Sequence, residues 1–261
     1  NPLFDAGEVA PAVLSITHDK AGMGLGLELM SLSRQKSNEA VFERDTTVVV
    51  PTGPFMVKNS GTGKMNEFYQ NSHKALCLRE DGKDLWGIPF DKTICGRAGT
   101  VDFYANGKLQ ILFGAGSSIH LLDRLGRYVK GFPLDLKKDI LLGPDIYDFT
   151  GKKKYNIMIL HKDNTIEMYN LQGQKPASWK GIAVTGETIK NLPERIDLGG
   201  STFWIVRTSV QTLIFPFYGG EALTVFEGNQ KIRPDSEIKA LDGTTVEFTC
   251  YDGKVRTQAL K

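Results

Sequence analysis

The sequence predicts an all-β fold assembled from a repeated unit of four antiparallel strands. Three observations carry that expectation. A strand, a polar turn with glycine and a second strand leading to an aromatic recur as ALCLREDGKDLWGIPFD from Ala75, SIHLLDRLGRYVKGFPLD from Ser118 and TIEMYNLQGQKPASWKGI from Thr165. The turn glycines Gly82, Gly126 and Gly173 are spaced by 44 and 47 residues. Repetition at that length marks a supersecondary unit that is buried only by stacking on its neighbours. Finally, helical periodicity is scarce, whereas short runs of Val, Ile, Leu, Phe and Tyr are punctuated by Gly, Asn, Asp and Lys, as in a chain of many short strands.

Taken in order, PAVLSITH from Pro11, LGLELMSLS from Leu25 and EAVFERDT from Glu39 read as a degraded first copy. GPFMVKN from Gly53 and MNEFYQ from Met65 precede the first clear hairpin. GTVDFYANG from Gly99 and KLQILFG from Lys108 precede the second, and PDIYDFTG from Pro144 and KYNIMIL from Lys154 the third. A weaker fourth copy is expected in ERIDLGG from Glu194, TFWIVRTS from Thr202, VQTLIFPF from Val210 and ALTVFEG from Ala222, with Gly219-Gly220 in its turn. SEIKALDG from Ser236, VEFTCYDG from Val246 and KVRTQALK from Lys254 supply three strands without a fourth. Pro2-Leu3-Phe4 is a candidate for the missing strand, which would close the ring and hide its edges.

The turns have chemical reasons. Asp81-Gly82 suits a two-residue type I′ hairpin, whose positive φ angles Asp and Gly tolerate. Asp123 to Gly126 and Asn170 to Gly173 place an Asx first and Gly fourth, which fits a type I turn closed by a glycine bulge. Before those turns Ile119/Leu121 and Ile166/Met168 alternate with His120 and Glu167, which fall on the opposite face.

Units of about 40–45 residues with four strands match the blades of a β-propeller. The expectation is a propeller of four-stranded antiparallel blades, about six in number with five or seven as alternatives. It would occupy residues 1–261 as one domain. The chain begins at Asn1 rather than Met, so an upstream segment is expected and the domain is read as part of a longer protein. The rungs of a β-solenoid would be shorter, and a sandwich would not need such regular spacing.

The hairpins LLDRLGRYVKGFPL and LCLREDGKDLWGIP resemble PQQ-type and WD40-like propeller repeats, and GKLQILFGAGSSIHLLDRLGRYVKGFPLDL is similar to propeller segments of uncharacterised bacterial envelope-associated proteins. The resemblance covers roughly residues 50–185 and implies a fold rather than a reaction. Those families include quinone-dependent dehydrogenases, scaffolds and surface proteins. No WD dipeptide stands at the WD40 positions, and the carboxylate and amide set that holds calcium and quinone in the dehydrogenases has no counterpart here.

Thirty-two basic and thirty acidic residues leave a formal charge of +2, too weak a field to mark a nucleic-acid surface. Three cysteines (Cys77, Cys95, Cys250) are too few and scattered for a disulfide framework or zinc site. No apolar run reaches the ~20 residues of a membrane helix, and no signal peptide is recognisable.

Candidate chemistry is sparse. Gly22-Met23-Gly24-Leu25-Gly26 misplaces the third glycine of a dinucleotide loop. Gly61-Thr62-Gly63-Lys64 lacks the earlier glycine and the following Ser or Thr of a phosphate loop, so it reads as a turn. His18, His73, His120 and His161 have no ligand spacing. Asp102, Asp148 and Asp197 occupy similar places in successive first strands. They form either a ring of carboxylates for a cation or acid–base work, or turn caps accepting backbone N–H groups, and capping is the simpler account. Trp86, Trp179 and Trp204 are expected between blades. No catalytic or cofactor-binding residue is assigned, and no cofactor or metal is expected. The candidate axial or loop residues are Asp102, Asp148, Asp197, Lys58, Asn59 and Lys64. The expected function is a non-catalytic binding or scaffolding module of an envelope or secreted protein, with a protein or carbohydrate partner. The alternative is a carbohydrate-active or quinone-dependent propeller enzyme with acids from blade loops.

Overall fold

Strands buried on both faces, without a break along Gln110–Ala115 and Ser118–Leu122, decide how the sheets of this chain stack. The computed structural model describes the backbone of residues 9–19 and 22–31, and residues 45–260 in full. Contacts divide the chain into two units, Asn1–Glu43 and Arg44–Lys261. In the first, β1 (Val9–Asp19) and β2 (Gly22–Ser31) pair as an antiparallel hairpin, where two strands were predicted. The strand expected from Glu39 falls outside the described residues except for its last two positions, and Pro2-Leu3-Phe4 lies wholly outside them.

The second unit holds five successive sheets. The first is a four-stranded meander of β3 (Phe55–Lys58), β4 (Met65–Gln70), β5 (Ala75–Glu80) and β6 (Lys83–Pro89). The next two repeat it: β7 (Ile94–Val101), β8 (Gln110–Ala115), β9 (Ser118–Leu122) and β10 (Leu134–Asp135), then β11 (Ile140–Tyr147), β12 (Asn156–His161), β13 (Thr165–Asn170) and β14 (Ile182–Ala183). The fourth has β15 (Glu194–Leu198), β16 (Ser201–Arg207) and β17 (Thr212–Pro216), and the fifth β18 (Lys239–Ala240), β19 (Thr245–Thr249) and β20 (Val255–Ala259). Within every sheet neighbouring strands are antiparallel. One parallel bridge, Gly96 to Gly143, joins the first strands of the second and third sheets, so the first strands are the inner ones. That approach needs glycine: at Gly96 φ is +75° and a Cβ would lie 2.6 Å from Leu142 and 2.9 Å from Pro51.

Gly82, Gly126 and Gly173 sit after the third strand of three consecutive sheets, at φ of 78°, 78° and 76°. Asp81 is also left-handed at φ 48°, which makes its hairpin type I′ as predicted. Other expectations need correction. The strand expected from Gly99 begins earlier, at Ile94, and Asp102 to Gly107 is a turn. The strand expected from Pro144 likewise begins at Ile140. ALTVFEG does not form a fourth strand beside β17. Leu223 N–H donates to the Ile214 carbonyl at 2.7 Å, but the Ile214 N–H is taken by the Thr224 hydroxyl at 2.9 Å. A side chain has replaced the next rung of the ladder.

Four apolar cores lie between the five sheets. Val57, Phe68 and Leu78 meet Ile111 and Phe113 between the first pair. Leu112, Ile119 and Leu121 meet Ile157 and Ile159 between the second. Met158, Ile166 and Trp179 meet Trp204 and Val206 between the third, and Phe203 and Ile205 meet Val246 and Phe248 between the fourth. Packing both faces of each inner sheet explains strands that are apolar on both sides. Trp204 is fully buried and Trp179 nearly so, while Trp86 crosses to the ring of contacts around Gly126. Residues 45–51 run across the starts of the inner strands. Lys190 binds the Asp45 carboxylate at 3.0 Å, Val48 packs on the third core, and Val50 and Pro51 reach Gly96.

Candidate functional site: the loop end of the blades

A strand order of 1-2-3-4 puts the turns 1–2 and 3–4 of every blade at one end. All six candidate loop residues therefore lie at that end, opposite the one crossed by residues 45–51. The six are not brought together into one cluster. Asn59 organises its own loop: its side-chain oxygen accepts the Gly61 N–H at 2.8 Å, its side-chain amide donates to Glu80 at 2.9 Å, and Lys64 pairs with Asp81 at 2.6 Å. Lys58 is exposed at the end of β3 and has no ion pair among the described residues.

The carboxylates expected within first strands are displaced from them in two of three cases. Asp102 and Asp148 each follow the last strand residue and cap the turn beyond it. Asp102 is 3% exposed. It accepts the N–H groups of Asn106 at 2.9 Å and Gly107 at 2.8 Å, and Lys153 of the next blade donates to it. The Lys153 ammonium, assisted by those N–H groups, holds its carboxyl below the usual value. Asp148 accepts the Lys153 N–H at 2.7 Å. Asp197, within β15, accepts from the Thr202 hydroxyl at 2.5 Å and from Arg195 Nε at 3.0 Å, and both lower its pKa, Thr202 foremost. These arrangements are turn caps and blade ties. Among the described residues no three His, Cys, Asp or Glu side chains are placed to hold a metal.

The turns also fasten blade to blade. Ser60 Oγ accepts the Leu109 N–H at 3.1 Å, and the Tyr155 hydroxyl accepts the Asp102 N–H at 3.1 Å. Between the third and fourth blades the same end opens into a groove of about 700 Å³. Its walls are aromatic. Phe149 stands edge-on to Phe217 at 5.0 Å and lies flat on Tyr147 at 5.3 Å. Phe217 meets Tyr218 edge-on at 4.9 Å, and Tyr218 is 47% exposed. The Arg195 guanidinium covers the Phe149 ring at 5.4 Å, while Trp204 Nε1 fixes the backbone by donating to the Phe217 carbonyl at 2.8 Å. Asp197 and Thr202 complete the lining. Of this set sequence reasoning named Asp197 as a candidate and Trp204 only as a packing residue between blades. The signal it missed was aromatic residues beside turn glycines, in DFTG at Phe149 and FPFYGG at Phe217 and Tyr218.

No family model and no curated protein matches the chain. Solved structures do. BBS1N in complex with ARL6DN matches at 14% identity over 83% of this chain and 71% of that one, with a TM-score of 0.52. BamB from Moraxella catarrhalis matches at 12% identity over 75% of this chain and 58% of that one, with a TM-score of 0.45. The computationally designed Ika8 protein matches at 13% identity over 78% and 61%, with a TM-score of 0.43. The chain has the β-propeller fold.

Proposed function

We propose that the chain is a non-catalytic binding module whose partner, a protein or a carbohydrate, docks on the loop end of the blades. The carrying observation is the aromatic groove of Phe149, Phe217 and Tyr218 with Arg195 above it. Rigid aromatics beside a cation are the composition of binding hot spots. Loops on a packed scaffold are where such sites are built. The opposite end is occupied by residues 45–51, which favours the loop end. The fold accommodates the role, since BBS1N was solved in complex with ARL6DN. We place the module in a bacterial envelope or secreted protein, following the repeat resemblance.

The test is a screen of the chain against peptide and glycan arrays, repeated with Tyr218→Ala and Arg195→Ala. A ligand that loses about tenfold in affinity with each variant, at an unchanged melting temperature, supports the reading. Ligands indifferent to both variants would defeat it, and hydrolysis of a bound glycan would replace the module with an enzyme.

A further inference from the structure

A second groove of about 300 Å³ opens at the loop end between the first and second blades. Its walls are apolar, formed by Val57, Leu78 and Ile111 with Trp86, and Leu85 and Leu125 stand at its lip, each 52% exposed. Trp86 is held there by donating Nε1–H to the Arg124 carbonyl at 2.9 Å. The floor is not apolar. Asn66, on β4 opposite Val57, lines the groove at 1% exposure, and its carboxamide oxygen has no hydrogen-bond partner among the described residues. A buried amide oxygen without a donor is destabilising, and such groups are rare in folded chains. One that lines an open groove marks a place where a ligand supplies the donor.

Charge narrows the ligand further. Lys58 and Arg124 both line this groove, and neither has an ion pair among the described residues. The nearby carboxylates are already committed: Glu80 to Asn59, Asp81 to Lys64 and Asp123 to Arg127. Two spare cations, an apolar slot and a buried amide ask for a carboxylate, an apolar side chain and an N–H in one ligand. We infer that this groove binds the C-terminus of an extended peptide ending in an apolar residue. The last side chain enters between Trp86 and Ile111, its carboxylate faces Lys58 and Arg124, and a main-chain N–H donates to Asn66. This site is separate from the aromatic groove and does not depend on it.

The experiment titrates N-acetylated tetrapeptides differing in the last residue into the full chain, both as free acids and as C-terminal amides. Binding is read from the Asn66 side-chain and Trp86 indole signals in nitrogen-15 NMR. Free acids ending in Leu, Ile or Val are expected to saturate both signals, and amidation to weaken them by about tenfold. Asn66→Leu and Arg124→Glu should each cost about tenfold, whereas Tyr218→Ala should leave this binding unchanged. Arg124 is exposed on a turn, so its variant keeps the test open if Asn66→Leu does not fold. The inference is overturned if no peptide saturates at millimolar concentration, or if amides bind as well as acids. It is equally overturned if decanoate matches the best peptide and is insensitive to Asn66→Leu, which would make the groove a fatty-acyl site.

Discussion

At Gly126 a Cβ would lie 3.0 Å from the Trp86 ring, whereas at Gly82 it would meet nothing within 4 Å. Both positions are left-handed, at φ 78°. Gly82→Val should therefore lose roughly 1–2 kcal/mol, the cost of a side chain in that region, and Gly126→Val measurably more, read by denaturant unfolding. His120 gives a pH dependence. It is buried against Phe113 at 5.0 Å, with Nδ1 2.9 Å from the Tyr128 hydroxyl. Burial first, then Lys92, pushes its pKa from 6.5 down to about 4. The folded state thus keeps it neutral while the unfolded chain takes up a proton. Its stabilisation is complete above pH 6.5 and is lost as pH falls toward 4. The native state should lose on the order of 2 kcal/mol between about pH 7 and pH 5, and less in His120→Gln, as thermal melts at the two pH values would show. The turn glycines were legible because positive φ selects a residue type. Asn66 and Arg195 were not, because their meaning depends on partners supplied, or left out, by another strand or blade.

At the scale of the element, the turn after β7 is tied to the turn after β11 through Asp102 and Lys153. Asp102→Asn should lower the melting temperature at neutral pH and flatten its fall in acid. The sign follows from a folded-state pKa below the usual 3.8: the contribution is present above that value and is lost as pH drops through the lower one. A variant with the same acid slope as the parent would show that the tie is not engaged. Third strands are legible because Asx and glycine punctuate the turns after them. The fourth follows its turn directly only at β6, whereas β10 and β14 are two-residue strands well beyond Gly126 and Gly173. The expected second halves of those two hairpins are therefore not strands. The first strands were read too late because ICGRAG, at the start of β7, is broken by Gly96, and only the bridge to Gly143 reveals why glycine stands there. ALTVFEG was read as a strand from its β-branched and apolar residues. The Thr224 hydroxyl, which takes the N–H a strand would have used, cannot be seen in that pattern.

Across the whole molecule the blade repeat was legible because the first three blades carry the same strands and turns. The aromatic groove was not, because its walls come from two different blades, Phe149 from one and Phe217 and Tyr218 from the next. Cys77, Cys95 and Cys250 are buried, free and spread over three blades, and burial raises the Cys95 thiol. A thiol reagent should find none of the three in the native chain and all of them in denaturant; a thiol labelled at native rates would place its blade edge open. The arrangement of four cores between five sheets has a further consequence for backbone amides. Opening an inner sheet breaks two cores, whereas opening the first or fifth breaks one among the described residues. Amide hydrogen exchange should therefore be graded along the chain, slowest in β12 and its partners and fastest in β3 and β20. A protease acting on these openings should trim from the outer blades inward, and leave the second to fourth sheets as its most persistent fragment.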